Sequence, residues 1–182
     1  MKIIAFAGSN SSKSINKKLA TYAASLFENA AVEVLDLNEY EAPLFSVDTE
    51  IKIGKAEKAD AFVQKINSAT VLVVSLAENN GNYSASFKNL IDWCSRIDKG
   101  FFQNKPMLLM ATSPGGRGGK GVLEIAQNNL PRFDANIQAV FSLPSFEENF
   151  DVENNKISNE ELNGELKDAV EKLQIIADEK NA

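Results

Sequence analysis

Three stretches of this chain hold side chains and glycines suited to binding a ligand, and no histidine stands near any of them. The first follows Gly8 and reads Ser9-Asn10-Ser11-Ser12-Lys13-Ser14-Ile15-Asn16, with four hydroxyls and two side-chain amides in eight residues. The second is Ala77-Glu78-Asn79-Asn80-Gly81, and the third is Ser113-Pro114-Gly115-Gly116, which runs on to Gly121. Short hydroxyl and amide side chains donate hydrogen bonds, and beside the free N–H groups of a helix's first turn they favour an anion, above all a phosphate. The same residues also suit a tight turn at Gly8 and a helix cap at Ser12 or Ser14. One cap needs one hydroxyl, and the surplus favours phosphate. Zero histidines and a single cysteine, Cys94, exclude Ser-His-Asp and Cys-His catalysis and leave a zinc site short of ligands.

Strands and helices must place these stretches. Ile3 to Ala7 is an apolar run fit for a buried strand, and helical periodicity restarts at Ile15, Leu19, Tyr22 and Ala23 and predicts a helix to about residue 29. Residues 32–37 read as a second strand, 38–50 as a loop around Leu44, Phe45 and Val47, and 54–67 as a helix. The β-branched run at 70–75 has the character of a central strand buried on both faces. A polar loop over 76–84 leads to a helix started by Ser84 or Ser86, in which Phe87, Leu90, Ile91 and Cys94 share a core face. Strands at 107–111 and 137–141 flank a helix at 122–129, and 149–156 reads as a surface loop. Ser158 and Glu161 form a capping box for a last helix.

Five strand and helix units in alternation imply an α/β fold, a doubly wound five-stranded parallel sheet with right-handed crossovers and helices on both faces. Ligands bind such sheets beyond the carboxyl ends of the strands, and in the order 2-1-3-4-5 the three polar loops are neighbours. The 182 residues, 44% of them hydrophobic, suit one domain over 1–182. A formal charge of -6 without a basic stripe argues against nucleic acid. No apolar run approaches the roughly 20 residues of a membrane span. The single cysteine and the short first apolar run, which is no signal peptide, point to the cytoplasm. Gly116 to Gly121 also matches the dinucleotide pattern G-x-G-x-x-G, but it follows the fourth strand rather than the first, and a flexible loop is the better reading.

Taken together, the three stretches resemble the NADPH-dependent FMN reductases of the flavodoxin-like fold. Gly8-Ser9 with Ser14-Ile15-Asn16 and Leu19-Ala20 is similar to that family's phosphate loop. Ala77 to Gly81, continuing to Phe87-Lys88-Asn89-Leu90-Ile91-Asp92-Trp93, resembles the segment that lies against the flavin and opens the next helix. Ser113 to Gly116 resembles the loop at the ring's pyrimidine edge. The resemblance covers most of residues 1–142. It implies FMN with its phosphate against Ser9, Ser11, Ser14 and Asn16, Lys13 standing in for a customary arginine that is Ser11 here, and the ring between residues 77–81 and 113–116. It further implies NADPH or NADH as hydride donor, a small-molecule acceptor such as free flavin, a quinone or an azo compound, and a homodimer or homotetramer built on the helix of Trp93. No catalytic side chain is implied, since the cofactor carries the chemistry. Asn79 stands where the family has a tyrosine and Ala77 where it has a proline, so Tyr83, Phe45 or Trp93 must take over any stacking. The alternative is a non-enzymatic flavodoxin-like module, an electron carrier or a flavin-less binding protein.

Overall fold

A computed structural model describes residues 1–181. Its centre is a five-stranded sheet of β1 (Lys2–Gly8), β2 (Ala31–Leu35), β3 (Val71–Leu76), β6 (Pro106–Thr112) and β7 (Asn136–Leu143), in the order β2-β1-β3-β6-β7. All four pairings are parallel. This is the expected flavodoxin-like order, 2-1-3-4-5.

Alternation along the strands divides the core in two. Ile3, Ala5, Val71, Val73, Leu108 and Met110 pack with α1 (Ile15–Ser25) and α7 (Glu160–Asn181). The intervening Ile4, Phe6, Leu72, Val74, Met107 and Leu109 pack on the other face with α3 (Glu57–Asn67), α4 (Ala85–Ile97) and α5 (Lys120–Asn129). Successive side chains of a strand point to opposite faces, so one apolar run fills both layers. Cys94 lies inside the second layer, and burial pushes its thiol pKa up, as befits a core residue.

The connections differ from the sequence reading in ways that local hydrogen bonds explain. α1 stops at Ser25, whose hydroxyl turns back to the Tyr22 carbonyl, rather than near residue 29. β2 ends early because the Asp36 carboxylate accepts from Asn38 N and starts a 3-10 turn over Leu37–Tyr40. The expected loop over 38–50 contains most of a short helix, α2 (Val47–Ile53), capped by Ser46 and burying none of its residues. Residues 76–84 form a tight hairpin of β4 (Glu78–Asn79) and β5 (Asn82–Tyr83) rather than an irregular loop. Its turn residues, Asn80 and Gly81, have φ of 52° and 73°, the mirror-image turn that Asn-Gly favours. After α6 (Phe146–Asn149), the presumed surface loop is a second hairpin of β8 (Phe150–Asp151) and β9 (Lys156–Ile157). Asn159 caps α7 by accepting from Leu162 N, while Ser158, the expected cap, donates to the Glu148 carbonyl.

Among the described residues no helix is long and apolar enough to cross a membrane.

Candidate functional site

The three polar stretches meet at the carboxyl edge of β1, β3 and β6, and side chains tie each to the others. Ser84, the cap of α4, donates to the Gly8 carbonyl at 2.8 Å and joins the end of the second stretch to the start of the first. Gly8 pairs with Leu76 across the sheet, and a Cβ on it would stand 2.7 Å from Leu76 Cδ2, so only glycine fits this junction without displacing a core side chain.

In the first stretch the serines accept from the main chain and keep their hydroxyl protons. Ser9 Oγ accepts from Ser11 N at 3.2 Å, Ser11 Oγ from Lys13 N at 3.3 Å, and Ser14 Oγ from Lys17 N at 3.1 Å as the cap of α1. A hydroxyl that accepts has one O–H left to give, and the N–H groups of Ile15 and Asn16 in the first turn have no acceptor within the helix. This donor set suits a dianionic phosphate. Ser11 and Lys13 are exposed, and Ser9 is half-buried. Lys13 lines a recess of about 610 Å³ with Ser12, Ser14, Lys17, Lys18, Thr21 and Asn155. Lys17 is paired with Asp36 at 2.6 Å, an interaction that, with the Asn38 N–H, holds the Asp36 carboxyl below the usual carboxylate range.

Asn16 differs from the sequence expectation. Its amide is 3% exposed and turned inward, where Oδ1 accepts from Ser75 Oγ at 2.7 Å and Thr112 N at 2.9 Å, and Nδ2 donates to the Thr112 carbonyl at 3.1 Å. What it offers an anion is its main-chain N–H. Ser75 and Thr112, absent from the sequence-derived site, are the polar residues near the ends of two neighbouring apolar strands, a signal that was readable.

Glu78 also has a defined employment. Its carboxylate accepts from Val122 N at 2.9 Å in the first turn of α5, a helix whose own cap, Gly119, offers no side chain. A Cβ on Gly121 would lie 3.0 Å from Glu78 Oε2, so the glycine admits the carboxylate. The expected flexible glycine loop is therefore a built turn. Gly118 and Gly119 are buried with φ of 57° and 75°, and a Cβ on Gly119 would meet Ala111 Cβ at 2.7 Å. The anion position at this helix terminus is filled by the protein's own carboxylate, which removes the case for a dinucleotide pyrophosphate there.

The third stretch is braced from the far side. Ser113 Oγ donates to the Gly115 carbonyl, Ser145 N donates to the same carbonyl, and Phe146 N donates to the Ser113 carbonyl. Pro114, Gly115 and Gly116 stay exposed, and nothing stands within 4 Å of a Cβ built on either glycine. On the opposite wall Ala77 is half-buried while Asn79, Asn80 and Gly81 are exposed. Two of the aromatics that were candidates for stacking are spent in the core. Trp93 is fully buried with its indole N–H on the Pro43 carbonyl at 2.7 Å, and Tyr83 is buried edge-on to Phe87. Phe45 packs edge-on against Trp93. The second and third stretches thus expose main chain and amides, and the first is a set of unspent donors; residues of this kind fit FMN.

The profile of the NADPH-dependent FMN reductase family matches residues 1–147. The chain is 30% identical over 96 residues to a quinone reductase of Escherichia coli, covering 53% of this chain and 48% of that enzyme, so it spans about half of that relative's length. It is 33% identical over 132 residues to a 2-hydroxy-1,4-benzoquinone reductase of a Burkholderia species, 71% of this chain and 68% of that one. Among solved structures it is similar to FerB, a flavoenzyme NAD(P)H:(acceptor) oxidoreductase of Paracoccus denitrificans, with a TM-score of 0.76 and 20% identity over 98% of this chain and 97% of that one.

The role of Glu78 is measurable. Glu78→Ala removes the cap of α5 and should lower stability by about 1–2 kcal/mol in denaturant unfolding, whereas Glu78→Gln, which still accepts from Val122 N, should lose less than half of that. Equal stability of wild type and Glu78→Ala would remove the capping role.

Proposed function

Since the chain belongs to the NADPH-dependent FMN reductase family, we propose that it binds FMN across the three joined stretches and acts as an NAD(P)H-dependent oxidoreductase. The unspent donors at the start of α1 carry this reading: the Ser9, Ser11 and Ser14 hydroxyls and the first-turn N–H groups at one strand end. Bound FMN supplies the chemistry, accepting a hydride from the nicotinamide and yielding electrons to an acceptor. The chain's residues do the rest. Ser9, Ser11, Ser14 and Ile15 hold the phosphate; residues 77–81 and 113–116 wall the ring and leave one side for NADPH or NADH. Acceptors in this reading are free flavin, quinones or azo compounds, with quinones favoured by the names of the relatives in Escherichia coli and Burkholderia. A cytoplasmic setting accords with a single buried thiol.

No proton-transferring side chain is needed, and Glu78 is engaged on α5. With no histidine in the chain, no side chain of ordinary pKa titrates between about pH 5 and 8. Consumption of NADPH should therefore require added or bound FMN, and stopped-flow reduction at saturating NADPH should be nearly flat across that window. FMN binding without NADPH oxidation would favour the electron-carrier alternative.

We also propose a homodimer or homotetramer assembled through residues 44–53, which lie beside α4, the helix of Trp93. Leu44, Val47 and Ile51 are 81%, 64% and 78% exposed there, while Arg96 to Glu50 and Asn89 to Phe45 N hold the segment in place. Light scattering should give a multiple of 19.9 kDa for wild type and a smaller mass for the double change Val47→Glu, Ile51→Glu. A wild-type monomer would end this assembly reading.

A further inference from the structure

We propose that Asn16 is a positioning residue that couples the phosphate end of the site to its ring end, by pairing its side-chain amide with the main chain of Thr112. The functional consequence rests on the FMN reading above; the geometry does not. The β3 and β6 ladder closes at Leu76 and Ala111, because the chain leaves β3 at Ala77 to form the hairpin. Thr112 is the next residue of β6, is 1% exposed, and would have both its main-chain groups facing an abandoned position. The Asn16 amide takes that position. It accepts from Thr112 N at 2.9 Å and donates to Thr112 O at 3.1 Å, so one side chain supplies both bonds that a longer parallel β3 would draw from two of its residues. Only an amide carries a donor and an acceptor side by side, and the two Thr112 groups fix which way it points. Ser75 Oγ, donating at 2.7 Å, adds a third hold from β3 itself.

Two placements turn this brace into a coupling. Asn16 is the second residue of α1, so its amide and the first-turn N–H groups belong to one rigid turn. Thr112 is the residue before Ser113, so the other end of the pair is the root of the third stretch, and its hydroxyl also donates to Leu143 O at 2.8 Å. A shift at the phosphate end is transmitted to the ring end through a single buried side chain. A direct phosphate contact by the same amide would instead require breaking these bonds.

Asn16→Ala tests the coupling in two ways. In the ligand-free protein, amide hydrogen exchange at residues 112–116 should quicken by about tenfold or more together with the start of α1, while the middle of α4 stays unchanged. Unchanged exchange at 112–116 would overturn the proposal. In calorimetric titrations, the variant should bind both FMN and riboflavin more weakly, by about tenfold and about threefold, because riboflavin lacks the phosphate but uses the loosened wall. Loss of FMN affinity alone, the pattern expected of Ser9→Ala, would make Asn16 a phosphate contact and overturn the positioning role. Should wild type not bind FMN, the flavin reading fails and exchange alone decides the coupling. If Asn16→Ala does not fold, Ser75→Ala removes only the third hold on the amide, and its 112–116 exchange should still rise, by a smaller factor; unchanged exchange there would overturn the proposal.

Discussion

The carboxyl edge of the sheet depends on one buried amide. Where β3 turns away, the main chain of Thr112 would be left without partners in a place closed to water, and a buried unpaired polar group costs about 1–3 kcal/mol. Asn16 removes that cost from the first turn of α1, with Ser75 completing its acceptor. Once this bond is in place, the start of α1 cannot choose its own angle to β6. Ser84 on the Gly8 carbonyl and Glu78 on Val122 N extend the same logic, so hydrogen bonds at or just beside their ends link the three polar stretches pairwise.

That arrangement explains why part of the site was legible in the sequence and part was not. Periodicity reports how a segment is buried, and β1, β3, β6 and the faces of α3 and α4 were readable because each buries a repeating apolar pattern. The positions of Ser9 to Ser14, 77–81 and 113–116 followed from strand order. Hydrogen-bond partners far apart in sequence carry no such period. Asn16 looked like one more donor in a polar loop, and only the placement of Thr112, 96 residues later, shows that its amide is occupied. Gly116 to Gly121 looked flexible because glycine is permissive. In the fold Gly118 and Gly119 are confined by contacts, and Gly121 makes room for Glu78. The Asn80-Gly81 turn was a readable signal, since that pair between short extended segments favours a hairpin.

The absence of histidine and the inward use of Glu78, Asn16 and Trp93 leave few side chains for chemistry at the crevice. What faces outward is hydroxyl, amide, main chain and the cations Lys13, Arg117 and Lys120, groups that bind and orient a ligand. A protein built this way depends on a cofactor for reactivity. The first stretch carries the specific donors, while the hairpin exposes Asn79 and turns Tyr83 into the core against Phe87. In the binding mode we propose, much of the affinity comes from the phosphate, and the ring is held by shape and by main-chain groups.

Calorimetric titration of the ligand-free wild-type protein with FMN and with riboflavin tests this most directly, because the two ligands differ only in the phosphate that we assign to the first stretch. FMN should bind tighter by about tenfold or more. Equal affinities would contradict the assignment of Ser9, Ser11 and Ser14 to the phosphate, and with it the orientation of the ligand in the crevice.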